Sequence, residues 1–403
     1  MCNYAPSRMS SLVSSLRNRL ASPRLSQEAR AEVKRDREKR VGTDPGPLVA
    51  INEGLAWLCR AQDRSASSDG GVARHYSLID GWSVSYPETT GYIIPTLLSE
   101  ADLRGDADLK DRARRMLDWL VGIQFPDGGF QGGVVGSTPC VPVTFNTGQI
   151  LIGLASGTER LSEAYREPMR RAADWLAETQ DADGCWRRFP TPFAADGEKV
   201  YETHVSWGLL EAARVDGSEK YASAAKRNIE WALSHQNANG WFGKCCLVDP
   251  AAPLTHTIGY VLRGVLEAAD FFDDPNLIAA GRKTADSLLR VQASDGSLPG
   301  RLSADWKGTV DWVCVTGVAQ IAACWLILFE KTSDSRYREA AFRANRFVRS
   351  TLRLDASEDV RGGVKGSFPV DGDYGKYQYL NWACKFMIDA NRMELISADR
   401  DLL

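Results

Sequence analysis

The chain has 403 residues, 44% hydrophobic and 25% charged, with a formal net charge of −3. That composition is ordinary for a globular domain and allows one large unit. It carries no electrostatic footprint for nucleic acid, and no apolar run approaches the roughly 20 residues that cross a bilayer.

Residues 1–46 form a basic arm, with Arg17, Arg19, Arg24, Arg30, Lys34, Arg35, Arg37, Lys39 and Arg40 among few large apolar side chains. So little surface to bury predicts disorder or loose docking, with a helix packed across the outside of the domain as the alternative. The start lacks an apolar signal core, and the nine cysteines show no CxxC spacing. A cytoplasmic location is therefore expected.

Residues 47–403 repeat. Gln124, Gln180, Gln236 and Gln292 recur at a constant interval, with Gln62 preceding them. Trp57, Trp119, Trp175 and Trp231 each stand shortly before their glutamine, and Asp127-Gly128, Asp183-Gly184, Asn239-Gly240 and Asp295-Gly296 shortly after. Each copy reads as an amphipathic outer helix ending near the Gln, a turn at the Gly, a long loop and a more apolar inner helix. Six inner helices are expected, beginning at Thr90-Gly91, Thr147-Gly148, Thr203-His204, Thr255-His256, Thr316-Gly317 and Asn381-Trp382. The fold class is all-α: an (α/α)6 toroid of six helical hairpins with parallel inner helices. The recurrent Thr is expected to N-cap these helices. Their N-termini and the long loops would then share one mouth, electropositive and suited to a carboxylate.

Chemistry is expected at that mouth. His204 and His256 hold the same place in adjacent repeats, where other repeats have Gly, and imidazole is the commonest general acid or base near neutral pH. Tyr86, Glu88 and Tyr92 lead into the first inner helix, and Tyr201 and Glu202 into the third. A Tyr of lowered pKa would take a proton, and a Glu would act as acid or base. His204, His256, Tyr86, Glu88 and Tyr201 are the candidate catalytic residues. Candidate substrate-binding residues are Trp82, Tyr92, Glu202, Arg301, Asp305, Trp306, Trp312, Tyr374, Tyr377, Tyr379 and Lys385. Arg301 is expected to pair with a substrate carboxylate and the aromatics to stack on sugar rings. Asp183 and Cys185, or Cys245 and Cys246, with His256 make a conceivable zinc set of non-standard spacing; no metal or cofactor is expected. No phosphate-loop, dinucleotide or GxSxG motif occurs.

The Gln-x-x-Asp-Gly-aromatic turn, as in Gln124 to Phe130 and Gln180 to Trp186, resembles the QW-type repeat of triterpene cyclases and protein prenyltransferase β subunits. The cyclases' Asp-x-Asp-Asp motif is absent, and Asp273-Asp274 sits at the wrong end of its helix. The same toroid serves polysaccharide lyases, sugar 2-epimerases, uronyl epimerases and unsaturated-uronyl hydrolases. The paired histidines resemble the acid–base pair of the sugar 2-epimerases, and tyrosines with His and Arg resemble the uronate lyases and epimerases. The resemblance implies a carbohydrate-active enzyme that abstracts a proton beside a uronate carboxylate, as a lyase or epimerase. Its partner would be an anionic saccharide, with no nucleic acid and no membrane span. Two alternatives stand: a glycoside hydrolase using Glu88 or Glu202 with Asp305 or Asp311, and a terpenoid-cyclase-like enzyme or non-catalytic binding toroid.

Overall fold

The computed structural model describes residues 25–399, which hold thirteen α-helices and five short strands. After an arm helix, α1 (Gln27–Arg37), come α2 (Pro47–Asp63), α3 (Pro87–Arg104), α4 (Ala107–Ile123), α5 (Thr144–Arg160), α6 (Arg166–Thr179) and α7 (Thr203–Asp216). The rest are α8 (Glu219–Leu233), α9 (Thr255–Phe272), α10 (Pro275–Val291), α11 (Val315–Thr332), α12 (Ser335–Ser350) and α13 (Asn381–Asp399). The odd-numbered helices from α3 to α13 form the inner ring, each packed on the next, with α13 returning to α3. The even-numbered helices form the outer ring. This is the (α/α)6 toroid.

Helix composition explains the two layers. In α5 every residue from Thr144 to Ala155 is buried, as a helix enclosed on all sides requires. In outer α4 the buried residues are Leu109, Ala113, Met116, Leu117 and Leu120, a single stripe at three- and four-residue spacing. Inner α11 is long and apolar enough to cross a membrane, yet it is mostly buried inside the toroid.

Each inner helix forms a hairpin with the outer helix that follows it, α3 with α4 through α11 with α12. The sixth hairpin pairs α13 with α2, so the two ends of the toroid close the ring.

The repeat glutamines staple neighbouring outer helices. The Gln124 amide donates to the carbonyls of Gly128 (3.0 Å) and Pro168 (2.9 Å), reaching from the end of α4 onto α6. Gln180 does the same to Gly184 and Ala224. Gly128 has φ +100°, and a Cβ there would lie 2.3 Å from the Arg171 carbonyl oxygen, so only glycine fits the turn. Gly362 occupies the sixth such position against Glu53 of α2.

The threonines do not cap. The N-caps are Tyr86, Val143, Glu202, Leu254 and Cys314, without side-chain capping bonds. Thr90 and Thr147 instead lie within the first turns, where their hydroxyls accept the backbone N–H of Val72 (3.1 Å) and Phe130 (3.0 Å). They tie each Gly turn to its own inner helix.

Two small sheets bridge the mouth loops. Strand β1 (His75–Ser77) lies between β2 (Gly81–Trp82) and β5 (Gln378–Leu380), joining the first and last repeats, and β3 (Val313–Cys314) pairs with β4 (Ser367–Phe368).

Within residues 25–46 the arm is the packed helix of the two alternatives; its earlier part lies outside the described residues. Helix α1 is capped by Ser26 and docks through carboxylates that the count of basic residues overlooked. Glu32 and Asp36 approach the buried Lys365 ammonium to 2.6 and 2.5 Å, and Asp44 takes two bonds from Arg349.

Candidate functional site

A cavity of about 200 Å³ opens at the end of the toroid where the inner helices begin. Arg74, Tyr86, Glu88, Tyr92, Phe145, Thr191, Phe193, Tyr201, Leu247, His256, Tyr260, Tyr374 and Trp382 line it. The loop after the first Gly turn brings Arg74, and α3 brings Glu88 and Tyr92. Helix α9 brings His256 and Tyr260, one helical turn apart.

His256 is 5% exposed, and its Nδ1 lies 2.7 Å from Oε1 of Gln320 on α11. An amide oxygen only accepts, so Nδ1 carries the proton and Nε2 keeps a lone pair. Burial depresses the pKa to about 4, the Gln320 bond opposing it, so the ring is neutral at pH 7. Burial pushes the Glu88 carboxyl the other way, up to about 7, against the pull of Arg74 and the Tyr86 hydroxyl. The Arg74 guanidinium lies over the rings of Trp382 (5.2 Å) and Tyr86 (5.4 Å). It is the cation of the cavity.

The tyrosines do not have lowered pKa values. Burial raises Tyr86, Tyr92, Tyr201, Tyr260 and Tyr374, so these phenols keep their protons and serve as hydrogen-bond donors. Several buried polar atoms near the inner-helix starts lack a protein partner, among them Thr144 Oγ1, Tyr201 OH and the amide nitrogens of Gln149 and Gln320. Such groups require a ligand or ordered water to balance their lost hydration.

His204 does not share this cavity. It is fully buried beneath it, with Nδ1 2.6 Å from Gln149 Oε1 and its ring against Tyr260 (4.5 Å between centroids) and Trp207 (5.0 Å). Burial lowers its pKa well below the ordinary value. The two imidazoles therefore flank Tyr260, and only His256 reaches the open side.

Of the other expected residues, Tyr86, Glu88, Tyr92, Tyr201 and Tyr374 line the cavity. Glu202 faces a separate, adjoining cavity. Lys385 lies deeper, paired with Asp389 at 2.6 Å and set against the rings of Phe386 and Tyr92. Trp82 donates to Asp359 and packs on Trp57 at the seam between first and last repeats. Arg301 is held by the Ala252 carbonyl, and Asp305 is exposed beside Lys307. Trp306 packs on Trp241, Trp312 on Leu254 and Cys314, and Tyr379 is buried in β5. Tyr377 joins the turn before β5 with positive φ. None of these lines the cavity; the fifth long loop packs on the fourth, with Trp306 on Trp241 and Arg301 on the Ala252 carbonyl. Of the four carboxylates considered for a hydrolase, only Glu88 lines it; Asp311 borders a groove beside the arm.

Sequence reasoning missed Arg74, Phe145, Tyr260, Gln149 and Gln320. Tyr260, four residues after His256 on one helix face, was the one with a readable signal. Among the described residues no group of three or more His, Cys, Asp or Glu is placed to hold a metal ion.

The family model for the squalene-hopene cyclase C-terminal domain matches residues 72–263. No curated protein matches the sequence. Among solved structures, an unsaturated glucuronyl hydrolase specific for heparin is 16% identical with a TM-score of 0.70, covering 88% of this chain and 98% of its own. A sugar epimerase from a ruminal bacterium is 13% identical, TM-score 0.69, with 86% and 98% covered. A D-mannose isomerase is 12% identical, TM-score 0.69, with 87% and 97% covered. Helix pairing, ring closure and these likenesses together fit the chain to the (α/α)6-toroid superfamily.

Proposed function

We propose that this protein is a carbohydrate-active enzyme that removes the proton beside the carboxylate of a uronate residue, as a lyase or epimerase. The observation that supports it is the meeting of a cation, Arg74, a neutral imidazole, His256, and a carboxyl poised near neutrality, Glu88, in one cavity. The fold likeness to sugar-processing enzymes supports a saccharide as the substrate.

A carbon next to a carboxylate is a weak acid, because its carbanion places a second negative charge on the carboxylate. Arg74 pairs with that carboxylate and neutralises the charge as it develops. His256 Nε2 takes the proton: the C–H bond breaks, an N–H bond forms, and the electron pair passes into the carboxylate as an enediolate. In a lyase the pair returns to form a carbon–carbon double bond, the glycosidic oxygen leaves the neighbouring carbon, and Glu88 gives that oxygen a proton. In an epimerase Glu88 returns a proton to the opposite face of the same carbon.

Uronate oligosaccharides incubated in D2O test the reading. Either route requires Arg74, His256 and Glu88; a lyase yields an unsaturated, ultraviolet-absorbing uronate, and an epimerase places deuterium beside the carboxylate. A panel of such substrates giving neither product, or equal turnover by Arg74→Ala and His256→Ala, overturns it.

A further inference from the structure

We propose that the cavity adjoining the first binds the sugar next to the reacting residue, through Glu202 and Lys199, so that the substrate is an oligosaccharide; this rests on the saccharide reading above. The second cavity has a volume of about 330 Å³, within the size of ligand sites (about 300–1,000 Å³). The first is smaller and suits a single ring. Thr191 lines both, so a chain anchored at Arg74 passes it to enter the second.

The walls of the second cavity match a neutral sugar. Glu202 sits on the turn before α7, 4% exposed, and its Oε2 has no protein partner. A buried acceptor in that state is stabilised by any ligand group that donates to it. Burial pushes its carboxyl up to about 8, against the pull of Lys199, so at neutral pH it also donates. Lys199 is equally buried, and its ammonium reaches the Asp196 carbonyl only at 3.5 Å, leaving donors to spare. Hydroxyls of a pyranose both give and accept, which answers this pair of groups. Trp186 and Pro190 supply apolar wall for the ring's C–H faces.

The remaining charges are already committed. Arg187 bonds Asp183 at 2.7 Å and Glu198 at 2.7 Å, and Glu198 also takes Lys244. The rim charges are paired with one another, so Lys199 is the cation of this cavity left with donors for a ligand.

Ligand-observed NMR with glucuronic acid, a glucuronate-containing tetrasaccharide and cellobiose decides the matter. The tetrasaccharide should bind at least tenfold more tightly than glucuronic acid. Glu202→Gln and Lys199→Met should each erase that gain and weaken cellobiose comparably while leaving glucuronic acid bound; Arg74→Ala should release glucuronic acid. A length gain that survives in both folded variants overturns the second cavity and spares the uronate reading. If glucuronic acid fails to bind, the uronate reading falls and cellobiose alone judges the second cavity: no binding, or binding unaltered in both variants, overturns it.

Discussion

The Nδ1–H of His256 points at Oε1 of Gln320, 2.7 Å away on the neighbouring inner helix. The bond fixes which ring nitrogen carries the proton and leaves the other free to act as a base. Gln320→Leu frees the tautomer without removing the base, so turnover should fall about tenfold, against about 10²–10⁴-fold for His256→Ala. Steady-state kinetics on a uronate oligosaccharide, with melting curves as the folding control, checks the ranking.

With His256 as the proposed base and Glu88 as the proposed acid, turnover should have a pH window. His256 must be unprotonated, so turnover should rise as pH climbs through about 4, where burial has placed its pKa. Glu88 must hold its proton, so turnover should fall again through about 7. Residual activity of Glu88→Gln should lack the alkaline limb. A limb unmoved in that variant assigns it to another group.

Anion recognition should depend on Arg74 and not on Arg301. Arg74→Ala is expected to raise KM for uronate substrates by tenfold or more, because a charge-assisted pair to the carboxylate contributes about 1.5–3 kcal/mol. Arg301 is held by the Ala252 carbonyl and does not line the cavity, so Arg301→Ala should leave KM within twofold.

The arm should contribute measurably to stability. Removing residues 1–44 strips Lys365 of both carboxylates and Arg349 of Asp44, at a cost of about 3–5 kcal/mol. Adding Lys365→Met to the truncated chain should recover much of that loss. Chemical denaturation of the three proteins tests it, and a truncation that leaves the midpoint unchanged refutes the buried pairing.

Gly362→Ala should destabilise by about 3 kcal/mol, as Gly128→Ala should. A Cβ at Gly362 would lie 2.3 Å from the Glu53 carbonyl oxygen at φ +80°, where both backbone conformation and contact resist it. Melting temperatures of the two variants against wild type provide the comparison.

Architecture was legible because the repeat writes itself in the chain: Gln124, Gln180, Gln236 and Gln292 hold one geometric job, and the spacing exposes it. The cavity was only half legible. His204 and His256 hold equivalent register positions, yet Tyr260 closes over His204 and leaves His256 open, a difference of packing depth that spacing does not encode. Arg74 enters from a loop after an irregular insertion, so no periodicity pointed to it. The aromatics and charges of residues 301–312 misled because a long loop can pack on its neighbouring loop as readily as turn into the cavity. The arm misled because Glu32 and Asp36 stand among many cations in sequence but meet Lys365 in space.

The sixth hairpin, made by α13 with α2, has a consequence for biogenesis. An open solenoid gains stability repeat by repeat, each new unit resting on its predecessor. Here the opening outer helix emerges from the ribosome more than 300 residues before its partner, with an unmatched apolar flank throughout synthesis. The cavity is complete only once the tail has arrived to close the circle, so an abbreviated translation product would lack the cavity wall supplied by Tyr374 and Trp382 and would be sticky.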